Sequence, residues 1–224
     1  LSWVTIITLL LASILSFLTF EPVKAGLVGM PFPELGLFVK PVMALIGVLL
    51  VMVCSNLIDV DLEKLISTGK RKFDPLHVVR GEFFALFLLS ITGAMLVVSA
   101  TDLIWLFLAL ELVSLPTYVM IAMSRSKLEA QESALKYFFL GALSTGILLY
   151  GFAMLYGASG TLVLQDIVLV LQSESEGVLS ATATIGLILS VLAISYKIAA
   201  VPMHFYAPDV YEGAAAPMTA FLGF

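Results

Sequence analysis

The sequence predicts an all-α fold: a polytopic transmembrane helix bundle with a discontinuous helix near its C-terminal end. Three observations carry this. Of 224 residues, 61% are hydrophobic and 12% charged, whereas soluble domains average about 25% charged. The uncharged runs approach the ~20 residues needed to cross a hydrocarbon core about 30 Å thick. The basic residues fall in alternate links between those runs, as consecutive crossings require.

Six spans follow in order, at about 1–20, 37–58, 82–101, 102–124, 129–157 and 178–201, with a broken continuation at 203–224. Leu1–Phe20, Pro41–Ile58, Phe83–Thr101 and Tyr137–Gln165 carry no charge; Leu103–Ser124 carries only Glu111, and Gly177–Val201 only Lys197. Beyond them, Pro202, Pro208 and Pro217 interrupt a stretch that stays apolar, so the last element is expected to be broken. The chain starts and stops inside apolar runs. Residues 1–224 are therefore expected to be an internal piece of one transmembrane domain.

Orientation comes from the links. Lys64, Lys70, Arg71, Lys72 and Arg80 lie between spans two and three, and Arg125 and Lys127 between four and five. The link at Asp102 and the link holding Asp166, Glu174 and Glu176 contain no base. The basic side is expected to face the cytoplasm, or the matrix or stroma of an organelle. Ser126 and Glu129 have the spacing of a capping box at the start of the fifth helix, and Gly157–Gly160 should end it. Gly141 with Thr145, and Ala142 with Gly146, give small faces suited to close helix packing.

Composition also excludes some functions. A net charge of −5 argues against nucleic acid as partner. The single cysteine, Cys54, lies in an apolar run and reads as a small buried hydrophobe. The STGKR stretch at 67–71 lacks the first glycine and the Ser/Thr of a phosphate loop. Nothing resembles a metal, flavin, iron–sulfur or nicotinamide site, so no cofactor is expected in this chain.

The charges inside the spans carry the chemistry. Glu111 lies nine residues past Asp102, about 13 Å along a helix axis and close to mid-bilayer. A lone carboxylate there costs several kcal/mol. Lys136 lies seven residues past Glu129, about 10 Å in from the opposite surface. A snorkelling side chain, or an i, i+4 pair with Glu132, is the bland alternative for it. Lys197 follows some 20 uncharged residues and precedes Pro202, His204 and Pro208. Pro116 and Pro202 should free the carbonyls of Leu112 and Ile198, each beside a buried charge. His204 can exchange a proton near neutral pH, or be a satisfied core histidine. A carboxylate and an ammonium in contact keep each other charged; moved apart in an apolar interior, each favours its neutral form. Such a set can change proton occupancy when its spacing or hydration changes.

Three stretches, ALELVSLPTYVMIA, EAQESALKYFFLGALSTGILLYGFAMLYGASGTL and YKIAAVPMHFYAPDVYEGAAAPMTAF, resemble N-type subunits of proton-pumping NADH:quinone oxidoreductase (respiratory complex I). Those subunits belong to an antiporter-like family shared with the L and M subunits and with multisubunit cation/proton antiporters. The resemblance covers about residues 80–224, with PDVYEG favouring the N type; the first 80 residues match only as spans. It implies a fourteen-helix subunit of the membrane arm, of which this piece would run from the second helix into the broken seventh. It places the family's fifth-helix glutamate, sixth-helix lysine and seventh-helix lysine on Glu111, Lys136 and Lys197. Tyr206 stands where the family usually has Trp, and Ala215 where it usually has Pro.

The expected function is proton translocation, driven by redox chemistry in other subunits. That chemistry would shift the Glu111–Lys197 pairing, and Lys197 would then pass a proton through Lys136 or His204 and internal water. The expected partners are other membrane-arm subunits of complex I and the lipid bilayer. The expected location is a bacterial inner membrane, with thylakoid and organelle membranes as alternatives. Two rivals share the same residues: a component of a multisubunit Na⁺/H⁺ antiporter, and a purely structural membrane subunit whose charges only fix helix packing.

Overall fold

The computed structural model describes residues 2–18, 33–54, 67–69, 80–124, 128–173 and 179–223. Most of the basic links, the Ser126–Glu129 capping pair and Glu174 and Glu176 lie outside the described residues or at their margins. The helices are α1 (Ser2–Leu18), α2 (Pro33–Cys54), α3 (Arg80–Val97), α4 (Leu103–Ser124), α5 (Leu128–Ser159), α6 (Leu164–Ser173) and α7 (Ala181–Lys197). A 3-10 turn (Met203–Tyr206) and two short helices, α8 (Ala207–Gly213) and α9 (Ala216–Leu222), follow. The fold is all-helical among the described residues, apart from one isolated bridge between Asp102 and Val163.

Helix ends follow local chemistry. Asp102 accepts from the Trp105 amide at 2.8 Å and caps α4. Ser180 accepts from Ala183 at 3.2 Å and caps α7. Gly160, at φ +73°, ends α5 in a conformation that side chains avoid. The Asp102–Val163 bridge, with Leu103 N–H to Leu162 and Leu164 N–H to Thr101 at 3.0 Å each, joins two acid-bearing links on one side of the bundle. The short helix α6 fills the second of these links, where the sequence reading has only a loop.

The bundle's tightest approaches are at small residues. The most extensive packing is between α5 and α7, then between α3 and α4. A Cβ on Gly151 would meet Ser190 Oγ at 2.6 Å and its amide at 2.9 Å, and one on Gly186 would meet the Gly151 carbonyl at 3.0 Å. Backbone therefore lies against backbone there, as small residues allow between membrane helices. Of the two small faces expected on α5, the one at Gly141 and Thr145 is used. A Cβ at Gly141 would collide with the Tyr118 hydroxyl. The face at Ala142 and Gly146 points to open space, because the rotation of α5 turns it outward.

The outer faces remain apolar. Ile7, Leu45, Leu108, Leu149 and Val191 are each more than half exposed on the isolated chain. Soluble monomers rarely expose contiguous apolar patches this extensive, whereas hydrocarbon solvates them without cost. Among the described residues, α4 and α5 are the two helices both long and apolar enough to cross a bilayer. Cys54 is buried and free. The chain is an integral membrane protein; its larger apolar cluster lies between α2, α3, α4, α5 and the broken segment after α7, and a second lies between α4, α5, α6 and α7.

Candidate functional site

Glu111 lies in the third turn of α4, and Lys197 is the last residue of α7. The two side chains meet: Lys197 Nζ donates to Glu111 Oε1 at 2.8 Å. Their side chains are only 9% and 16% exposed, so the pair lies in the protein interior. Two hydroxyls complete the site. Thr145 Oγ1, from α5, donates to the same Glu111 oxygen at 2.7 Å, and Lys197 Nζ also donates to Ser114 Oγ at 3.0 Å. Three helices thus converge on one carboxylate oxygen.

Local structure puts each group there. Ser114 lies three residues after Glu111, so both share one face of α4. Thr145 sits one turn after Gly141, whose missing side chain lets α4 come close through Tyr118. Ser144 donates to the Ala193 carbonyl at 3.0 Å, tying α5 to α7 one turn before Lys197. Helical side chains lean toward the helix N-terminus, which sends the lysine stem back along α7 toward Glu111. The last-turn carbonyls of α7 also favour a cation at that end.

The two expected breaks differ from each other. Pro116 lies inside a continuous α4. From α3, Ser90 Oγ donates to the Val113 carbonyl at 3.0 Å, next to the Leu112 carbonyl that Pro116 leaves without its helical donor. Gly93 makes that approach possible, since a Cβ there would sit 2.7 Å from the Val113 amide. At the other break, α7 ends before Pro202 is reached, and Ala199 takes φ +50°. The proline therefore does not strip Ile198 of a partner within a running helix. It opens the 3-10 turn after a helix that has already stopped.

Below the pair the break is lined with aromatics. Tyr206 stacks on Tyr196 at 4.3 Å and on Tyr137 at 5.5 Å, and its hydroxyl donates to the Tyr196 carbonyl at 2.9 Å. A cavity of about 350 Å³ borders Lys197, with Ser90, Thr117, Tyr137, Tyr206 and Tyr211 as its other polar walls.

The remaining sequence candidates lie elsewhere. Lys136, on α5, contacts Glu132 Oε1 at 3.0 Å and Asp209 Oδ2 at 3.1 Å, with about half of its side chain exposed. Among the described residues its ion-pair contacts are these two carboxylates and neither Glu111 nor Lys197, so Lys136 stands apart from the buried pair. The i, i+4 pair with Glu132 is formed. His204 is exposed on the 3-10 turn. Ser114, Thr145 and Asp209 were missed by the sequence reading. The i, i+3 spacing from Glu111 could have found Ser114, and the Gly141–Thr145 face could have found Thr145.

Residues 100–224, which hold Glu111, Ser114, Thr145 and Lys197, match the family described as NADH:quinone oxidoreductase/Mrp antiporter, TM. The chain belongs to that family. Within the NADH:quinone oxidoreductase/Mrp antiporter family, curated relatives at 41–47% identity are of the N type that the PDVYEG stretch favours. NADH-quinone oxidoreductase subunit N of Nitrosomonas europaea is 47% identical over 146 residues, 65% of this chain and 30% of that protein. The same subunit of Thiobacillus denitrificans is 46% identical over 144 residues, 64% of this chain and 29% of that protein. The matched stretch is thus under a third of the length of these relatives. Among solved structures, a chain of respiratory complex I from Thermus thermophilus is 27% identical, with a TM-score of 0.56, covering 99% of this chain and 49% of that one. A chain of an archaeal membrane-bound sulfane sulfur reductase shares the fold at 21% identity, with a TM-score of 0.77 over 98% of this chain and 44% of that one.

Proposed function

We propose that this chain is part of a proton-translocating membrane-arm subunit in a complex I-type NADH:quinone oxidoreductase. The observation that carries the reading is the Lys197–Glu111 contact: a buried ion pair at 2.8 Å that joins two helices at the end of one of them. A buried pair is a poor way to gain stability, because desolvation offsets most of the attraction. It is a good way to hold a proton whose affinity depends on spacing. In contact, the ammonium and carboxylate stay charged; separation favours transfer of the ammonium proton to a neighbouring acceptor.

The elements around the pair fit such a step. Lys197 terminates α7 beside a broken segment, where a small shift of the 3-10 turn changes its distance to Glu111. Thr145 holds the Glu111 carboxylate, and Ser114 is a second acceptor that the ammonium leaves when the lysine moves. The cavity of about 350 Å³ beside Lys197 has polar walls and room for several waters, so the proton would leave through water rather than by direct contact with Lys136 or His204. Electron transfer and its cofactors belong to other subunits in this reading, and a bacterial inner membrane is the location suggested by bacterial relatives.

The test is Lys197→Ala and Glu111→Ala, each in the assembled complex, with quinone reduction and proton translocation measured together. Loss of protons moved per electron supports the relay. Undiminished pumping in both variants rejects it. The family description also covers Mrp antiporters; co-purification with quinone-reducing subunits separates the two readings, and the subunit N relatives favour the first.

A further inference from the structure

Lys136 is a puzzle for any relay. It is a lysine inside a span, yet its ammonium lies on two carboxylates and on neither member of the buried pair. Its cross-helix partner, Asp209, sits in α8, the first helix after the break. A second bond ties the same residue: Ser133 Oγ, itself buried, donates to the Asp209 carbonyl at 3.0 Å. A third tie is the Tyr137 ring, stacked on Tyr206 with an 11° interplanar angle. Ser133, Lys136 and Tyr137 are spaced i, i+3, i+4, so one face of α5 makes all three contacts.

The chain of contacts continues to the site. Asp209 lies three residues after Tyr206, and the Tyr206 hydroxyl donates to the carbonyl of Tyr196, the residue before Lys197. A shift of α8 on α5 is therefore passed through Tyr206 to the end of α7. We propose that Lys136 and Asp209 form a latch that seats the segment after the break on α5 and thereby sets the contact of Lys197 with Glu111. They are positioning residues, not carriers of the translocated proton. This inference rests on the proton-translocating reading above.

The experiment is a double-mutant cycle in the assembled complex, scored as protons moved per electron and as the amount of complex assembled. The variants are Lys136→Gln, Asp209→Asn, the two combined, and the exchange Lys136→Asp with Asp209→Lys. Lys197→Ala and Glu111→Ala serve as references. The latch requires that each single change lower the proton-to-electron ratio by about 1.5- to 5-fold, the share that a half-exposed ion pair can carry. The combined variant should be no worse than either, and the exchanged pair should recover most of the ratio. If Lys136 carries the proton instead, Lys136→Gln abolishes pumping, Asp209→Asn leaves it intact and the exchange restores nothing, which overturns the latch. Reduced assembly with an unchanged ratio in every variant also overturns it. Should Lys197→Ala and Glu111→Ala both pump normally, the functional reading falls; should only the cycle fail, the latch falls alone.

Discussion

Lys197 and Lys136 each grip a carboxylate from another helix, at 2.8 and 3.1 Å. They differ in medium. The Lys197 and Glu111 side chains are 9% and 16% exposed, whereas those of Lys136 and Asp209 are 48% and 57% exposed. An exposed pair contributes little energy and tolerates movement. A buried pair leaves a costly lone charge when it is broken. The same two chemical groups can therefore serve as a latch at one place and as a proton store at the other, according to what surrounds them. Hydroxyls mark the difference as well: Thr145 and Ser114 complete the buried pair, while the other acts through a second carboxylate, Glu132.

The sharpest way to break this comparison is to remove the buried lysine. Lys197→Ala strands Glu111 and is expected to cost about 3–5 kcal/mol of stability, together with loss of pumping. Replacing both partners, Glu111→Leu with Lys197→Met, should recover most of the assembled complex, since matched apolar groups remove the desolvation cost, and still not pump. Recovery of pumping in that double variant would show that the pair only holds the helices together.

A smaller effect tests the site's frame. Thr145→Val removes a hydrogen bond to a charged group and is expected to cost about 1.5–3 kcal/mol. Pumping should fall several-fold with quinone reduction retained, whereas an unchanged ratio of protons to electrons would remove Thr145 from the site. Gly151→Ala forces a methyl into the Ser190 backbone, an overpacking expected to cost about 1–3 kcal/mol. It should lower the thermal stability of the detergent-solubilised complex, because α5 and α7 carry both Thr145 and Lys197. The least effect is expected from Tyr206→Phe. It removes only the bond to the Tyr196 carbonyl, about 0.5–1.5 kcal/mol, and keeps the stacked rings. If the latch route is right, this change should weaken coupling slightly while leaving assembly untouched.

Glu111 and Lys197 were legible in the sequence because hydrocarbon makes a charge conspicuous: one acid or one base in some 20 apolar residues needs an explanation. That the helix stops near Pro202 was legible too, since proline cannot continue it. The partners were not. Thr145 lies 34 residues from Glu111, and Lys197 lies 86 residues from it. Thr145 stood out only as a small packing residue, because a helical threonine's hydroxyl can bond back to its own turn. The residue spacing puts Glu111 about 13 Å past Asp102 and Lys197 about 25 Å past Ser180. No rule of spacing says that these two levels coincide.

The sequence by itself determined the solvent, the helical class and which residues could not be left alone in it. Those outcomes follow from transfer free energies, which act residue by residue. Helix rotation, register and the Gly151–Gly186 approach were decided only in the tertiary structure, and with them which charges touch. Contact between helices depends on the packing of many small side chains at once. That is why Lys197 found Glu111, and Lys136, the other lysine within a span, found Asp209.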